Sequence, residues 1–316
     1  MSRLISLIVC FQLCWSCFDG TSQVLNDNIK NNFENHLGFN AKGTLLTETQ
    51  LDNTRAILLA EQERRTDVSK LWFRVQGGTT SQTTYSADWP DAILDKWIAL
   101  QQDFNLKFIF VINVNDSPSN QRTFFNRWIT RGGDYHAIEV GNELYLPKFK
   151  NSTPGTLPVD APEVTAVTAG MTADIYMSSL AVGFVNAFSD LNLPFFFIAA
   201  PEKPSLPNVH LYNMQWNQTI ASHLTSPLYQ SVNSNLTLHL YEKTEGDVNY
   251  NQIPNLRNIA PAGTKIWITE SGVVDDAVIE LAPNPMLVQG NREVTHMNNV
   301  LTKLVIGDLI LALAPN

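Results

Sequence analysis

Apolar and polar positions follow two periods along the chain. Short apolar runs read as strands: Leu71–Val75, Leu106–Val114 (LKFIFVINV), Tyr135–Glu143, Pro194–Ala200 (PFFFIAA), Leu236–Tyr241 and Lys265–Glu270. Between them lie stretches with apolar residues at helical spacing: Leu51–Arg65, Pro90–Phe104, Ser119–Thr130, Glu163–Asp190, Val209–Ser231 (broken at Pro227), Ile253–Ile259 and Arg292–Ile306. A Pro-rich loop is expected over Pro147–Pro162. His36–Asn40 and Leu309–Leu313 supply a first and an eighth strand, the first resting on the weakest pattern.

Strands alternating with helices predict βαβ units around a parallel sheet. Buried parallel strands carry near-continuous apolar runs, as Leu106–Val114 does. An open doubly wound sheet is the structural alternative, but no Gly-x-Gly-x-x-Gly or phosphate loop follows any strand. The expectation is a (β/α)8 TIM barrel over residues 36–316, preceded by a polar lead-in at 21–35. Few residues follow Leu313. A truncated C-terminal end, which would leave the eighth unit incomplete and the barrel open between the first and eighth strands, is part of that expectation.

Residues 1–20 read as a signal peptide, with Arg3 ahead of an apolar run from Leu4 to Trp15 and small residues after it. No later stretch is long and apolar enough to span a bilayer, so a secreted protein without a membrane span is expected, extracellular or periplasmic. Cys10, Cys14 and Cys17 all fall in that segment. A processed chain then has neither disulfides nor a Cys nucleophile. A lipid anchor on Cys17 is the less favoured reading, because Cys14-Trp15-Ser16 fits a lipobox poorly. A net charge of -9 argues against nucleic acid or an anionic membrane as partner. Sequons at Asn115, Asn151, Asn217 and Asn235 are about as many as 30 Asn and 44 Ser or Thr give by chance.

In a (β/α)8 barrel the chemistry sits at the carboxyl ends of the strands. Two of the expected strands end in Glu, at Glu143 and Glu270. Two carboxyls flanking a sugar-sized cleft are what glycoside hydrolysis requires. One protonates the leaving oxygen and the other attacks the anomeric carbon, and the charge of Glu270 would help keep Glu143 protonated. Each Glu alone is equally well a solvated loop carboxylate; the pairing on facing strands is what favours catalysis. Arg74 ends the second strand, and Asn113 and Asn115 end the third. His239 and Tyr241, two apart, share one face of the sixth strand. They are expected near Glu270, although a satisfied core pair is the plain alternative. Glu139 shares parity with Glu143 and is expected to pair with an Arg or Lys inside the barrel. Trp89 and Trp216 are candidate sugar platforms or simple packing residues; His210 and Glu202 are further cleft candidates. No clustered His/Asp/Glu spacing suggests a metal, and no cofactor is called for.

Arg74, Asn142-Glu143, His239-x-Tyr241 and Glu270, in that order, resemble clan A of the glycoside hydrolases, retaining (β/α)8 enzymes. Arg74-Val75-Gln76-Gly77-Gly78 and Gly141-Asn142-Glu143 are most similar to patterns in its heparanase/β-glucuronidase and α-L-arabinofuranosidase families. The resemblance implies that Glu143 is the acid/base, Glu270 the nucleophile, and Asn142 a contact of the sugar 2-hydroxyl. It implies that Tyr241 hydrogen-bonds the nucleophile and Arg74 supports it from below. The substrate implied is an oligo- or polysaccharide. Two departures stand out: the eighth strand lacks the aromatic common in the clan, and no β-sandwich follows the barrel. They leave a catalytically inactive, carbohydrate-binding barrel as the alternative. A serine esterase has little support, since no Gly-x-Ser-x-Gly elbow is present.

Overall fold

The computed structural model describes residues 37–41, 47–64, 71–153, 161–242, 248–273, 295–296, 299–300, 303 and 309–313. The strands are β1 (Leu37–Ala41), β2 (Trp72–Val75), β3 (Lys107–Ile112), β4 (Ala137–Val140), β5 (Pro194–Ala199), β6 (Asn233–Glu242), β7 (Ile266–Val273) and β8 (Leu309–Leu313). Each pairs in parallel with the next, and β8 pairs back onto β1 through Leu37↔Ile310 to Asn40↔Leu313. The barrel is closed. The expected opening between the first and eighth strands does not occur, because the short run Leu309–Leu313 suffices to bridge β7 and β1.

Among the described residues the main helices are α1 (Glu48–Arg64), α2 (Asp91–Phe104), α3 (Pro118–Thr130), a composite α4, α5 (Pro207–His223) and α6 (Gln252–Ile259). Their ends follow the capping rules. Ser117 accepts from the Asn120 N–H at the start of α3, with Pro118 in the first turn. Asn105 takes the left-handed conformation (φ 51°) that stops α2. Outward residues of β2 and β3 meet helix residues in an aromatic layer in which Trp97 and Trp128 both pack on Phe108.

The interior is divided by height. At its base Trp72, Ile109, Val111, Ala137, Phe196 and Trp267 form a separate apolar plug, with Phe196 and Trp267 centred 4.1 Å apart. Above the plug the inward positions turn polar: Arg74 on β2, Glu139 on β4, Thr237 and His239 on β6, and Thr269 and Glu270 on β7. Buried charge of this kind survives only with complete pairing.

Three expectations about elements are corrected. The helix expected from Glu163 does not begin there. Residues 162–163 and 166–170 form turns, the second ending at Gly170 (φ 67°), and α4 runs through Ala173–Ile175, a π-helical Tyr176–Ala181 and Val182–Phe188. β4 ends at Val140, so Glu143 lies beyond the strand; β7 continues past Glu270 to Val273. The loop expected over 147–162 starts as a helical turn, Pro147–Lys150, while residues 154–160 lie outside the described residues. So do the expected signal, the lead-in and most of the final helix, of which 295–296 and 299–300 are helical.

Candidate active site

At the carboxyl end of the barrel lies a cleft of about 970 Å³, lined by Glu143, His239, Tyr241 and Glu270 among others. Two backbone features aim the carboxylates. Beyond β4 the chain turns through Gly141 (φ 80°) and Glu143 (φ 47°). A side chain at Gly141 would meet Val114 Cγ1 at 2.9 Å, so this turn requires glycine. Glu143 holds a left-handed conformation uncommon outside glycine, such as collects at functional sites. The turn is pinned by Leu146 N–H donating to the Glu143 carbonyl (3.0 Å) and by Gln82 Nε2 donating to the Asn142 carbonyl (2.6 Å).

The second feature is a bulge. Thr237 pairs with Trp267, but His239 pairs with Glu270, so β7 holds one residue more than β6 between these pairs. Plain alternation from Trp267 would put Thr269 inward and Glu270 outward. The extra residue resets the parity, and Glu270 faces the cleft beside His239 and Tyr241.

Arg74 ties the site together and is fully buried. Its Nε and Nη2 grip Glu139 at 2.9 and 2.6 Å, a bidentate pair. Nη2 also donates to Asn142 Oδ1 (2.9 Å); Nη1 donates to Asn40 Oδ1 (3.1 Å) and to Glu270. All five N–H groups of a guanidinium are thereby used. Glu270 further accepts from Gly78 N–H (2.8 Å) and from the Tyr241 hydroxyl. Burial alone would raise the Glu270 pKa. The charges of His239 and Arg74 and the bonds from Tyr241 and Gly78 outweigh it, and hold the carboxyl down at about 2. His239 goes the other way: burial lowers its pKa, but Glu270, Glu139 and Glu143 lift it to about 9. Its Nε2 lies 3.1 Å from Thr269 Oγ1. Its Nδ1 sits 3.2 Å from Glu143 Oε1 and 3.6 Å from Glu270 Oε2, yet is directed at neither well enough for a hydrogen bond. Tyr145 donates to Glu143 Oε1 at 3.2 Å.

Oxygens of Glu143 and Glu270 and a ring nitrogen of His239 all lie within 4.8 Å of one another. The three could in principle hold a cation. Glu270 is a poor ligand for one, because its oxygens are already held by a guanidinium, a phenol and a backbone N–H.

Arg74, Asn142, Glu143, His239, Tyr241 and Glu270 therefore come together, and Glu139 is the internal partner expected of it. Three other candidates do not line the cleft. Trp89 is 2% exposed and packs on Phe124 and Trp128. Trp216 is 1% exposed, its indole N–H spent on the Ile198 carbonyl (2.9 Å), and stacks on Tyr176. It reaches the cleft lining through Tyr145 and Tyr212, 6.2 and 6.3 Å away between ring centres. Asn113 is buried and committed to its loop, donating to the Thr84 carbonyl and accepting from Asn115 N–H. Glu202 does line the cleft; His210 is not among the lining residues. Sequence reading missed Asn40, Tyr145, Thr269 and the N–H of Gly78. The signal for Asn40 was available, since it is a polar residue near the end of β1.

No protein-family profile matches the chain, and no curated protein does. Among solved structures, orotidine 5'-phosphate decarboxylase from Pyrococcus horikoshii OT3 is similar over 85% of this chain and 100% of its own, at 12% identity and a TM-score of 0.35. That likeness is too slight to bear on chemistry. The class rests on the strand order itself: a closed parallel (β/α)8 barrel, a fold commonly found in enzymes. Among the described residues, no helix is long and apolar enough to cross a membrane.

Proposed function

We propose that the protein is a retaining glycoside hydrolase of the clan A type, secreted under the direction of residues 1–20 and acting on oligo- or polysaccharides. One observation carries the reading: Glu143 and Glu270 face each other across the cleft, with oxygens within 4.8 Å. Carboxyl groups about 5–5.5 Å apart go with retention, and wider pairs leave room for the water of an inverting enzyme.

The roles follow from the surroundings. Glu270 is kept ionised by Arg74, Tyr241 and Gly78 N–H, as a nucleophile must be. It attacks the anomeric carbon while Glu143 gives its proton to the leaving oxygen. Glu143 then takes a proton from the water that releases the sugar from Glu270. Asn142 Nδ2 is buried without a hydrogen-bond partner, and Arg74 Nη2 holds the residue through its Oδ1.

A 2-fluoro-glycosyl substrate followed by peptide mass spectrometry tests this. The adduct is expected on Glu270. Labelling of another residue overturns the nucleophile assignment. No labelling and no turnover across aryl glycosides and plant, algal and glycosaminoglycan polysaccharides overturns the hydrolase reading.

A further inference from the structure

The four sequons are not equivalent in the folded chain. Asn115 Nδ2 spends both protons, on the Gln82 carbonyl (2.7 Å) and the Glu163 carbonyl (2.9 Å). Asn217 is buried, with Nδ2 on the Ala200 carbonyl (2.9 Å) and Oδ1 on the Ala200 N–H (2.7 Å). Asn235 is buried, donating to the Asn233 carbonyl and accepting from Lys265 N–H. A glycan on any of these would replace a native hydrogen bond, and on the buried Asn217 and Asn235 it would have no exit. Asn151 is different. It is exposed, its side-chain amide has no hydrogen-bond partner among the described residues, and it lines the cleft. It caps the turn Pro147–Lys150, which follows directly from the turn that holds Glu143. Thr153, the sequon hydroxyl, is exposed as well.

From this we infer that Asn151 is an N-glycan acceptor, and that the glycan stands at the rim of the cleft and screens it from large substrates. The donor is a lipid-pyrophosphate-linked oligosaccharide. Asn151 Nδ2 forms a bond to the anomeric carbon of its first sugar, the carbon–oxygen bond to pyrophosphate breaks, and the lipid pyrophosphate leaves. The amide proton passes to solvent. Lys150, beside it, holds its ammonium 3.9 Å from the Tyr212 ring centre, so that Lys150 and the glycan would bracket the β4 side of the opening. Occupancy of Asn151 rests on the secretory routing proposed above; only the screening role draws on the hydrolase reading.

The test is expression of the full chain in cultured insect or mammalian cells, once with its own leader and once with the leader of a well-secreted protein. Protein from the medium is treated with peptide N-glycosidase in heavy-oxygen water and mapped by mass spectrometry. Heavy Asp at position 151, with unmodified Asn115, Asn217 and Asn235, is the expected result. Thr153→Ala should abolish the label and Thr153→Ser retain it; enzymatic trimming of the unaltered protein replaces the variants should they fail to fold. An unmodified Asn151, or a glycan at any of the other three, overturns the inference. Label with the substitute leader but no secretion with the native one overturns the routing, and the native glycan with it. Trimming should raise turnover of a polymer several-fold relative to a small aryl glycoside, and an unchanged ratio overturns the screening role. Loss of all turnover bears on the hydrolase reading alone, because occupancy is read without activity.

Discussion

Single residues here are worth what they leave behind. If Glu270 is the nucleophile proposed above, Glu270→Gln keeps the shape and removes the attacking charge, so turnover should fall on the order of 10³–10⁶-fold while sugar binding, read by calorimetry, persists. Glu143→Ala should cost about 10²–10⁴-fold on glycosides with poor leaving groups, and much less where the leaving group needs no proton; a series of aryl glycosides separates the two. Arg74→Lys keeps a charge but lacks the planar fork, leaving Glu139 and Glu270 short of donors. A loss of about 3–5 kcal/mol in urea unfolding is expected, the usual consequence of breaking a buried pair. The titrations have opposite signs. Glu270 is held near 2 in the fold, so its stabilisation is present above an unfolded pKa of about 4.3 and fades as pH falls toward 2. His239 is lifted to about 9, so its stabilisation is present below about 6.5 and fades as pH rises through 9. Urea midpoints should therefore be highest between about pH 5 and 6.5. His239→Gln should flatten the alkaline limb; an unchanged limb rules out His239 as its source.

At the scale of elements, strand order and the meeting of Glu143 and Glu270 in one cleft were legible, because buried parallel strands are nearly pure apolar runs and their ends are the few polar positions. What escaped depended on backbone detail. A Trp after a strand looks the same whether it faces the cleft or the packed layer behind it: Trp89 packs on Trp128 of α3, and Trp216, itself on α5, packs on Tyr176 of α4 and the Ile198 carbonyl of β5. Helical spacing was extended back to Glu163, but Gly170 and the turns around Thr165 and Thr168 prevent a helix there, and those two hydroxyls instead donate to Asn115 Oδ1. Even the placement of Glu270 in the cleft stood on incomplete grounds: alternation from Trp267 puts it on the outward face, and only the register shift returns it. The loop after β2 gives a test at this scale. A Cβ at Gly77 would overlap Asn40 Oδ1, and Asn40 holds Arg74 Nη1. Gly77→Ala should lower stability by about 1–3 kcal/mol and reduce activity more than its distance from the carboxylates suggests. Equal activity per folded molecule would mean that Asn40 is dispensable to the site.

Across the whole molecule, Arg74 on β2 reaches Asn40 on β1, Glu139 on β4, Asn142 beyond it and Glu270 on β7. The barrel is cross-linked through its centre as well as around its wall. Stability losses from Asn40→Ala and Glu139→Gln should be non-additive by about 0.5–3 kcal/mol in a double-mutant cycle; simple additivity would mean two independent contacts. The bulge in β7 carries a different lesson, about origins. A barrel of this kind can gain or lose an inward carboxylate through one inserted or deleted codon, with every amino-acid type around it unchanged. The step from binding barrel to hydrolase, in either direction, need not pass through any substitution of Glu270, and a comparison that scores only aligned residue identities would not record it.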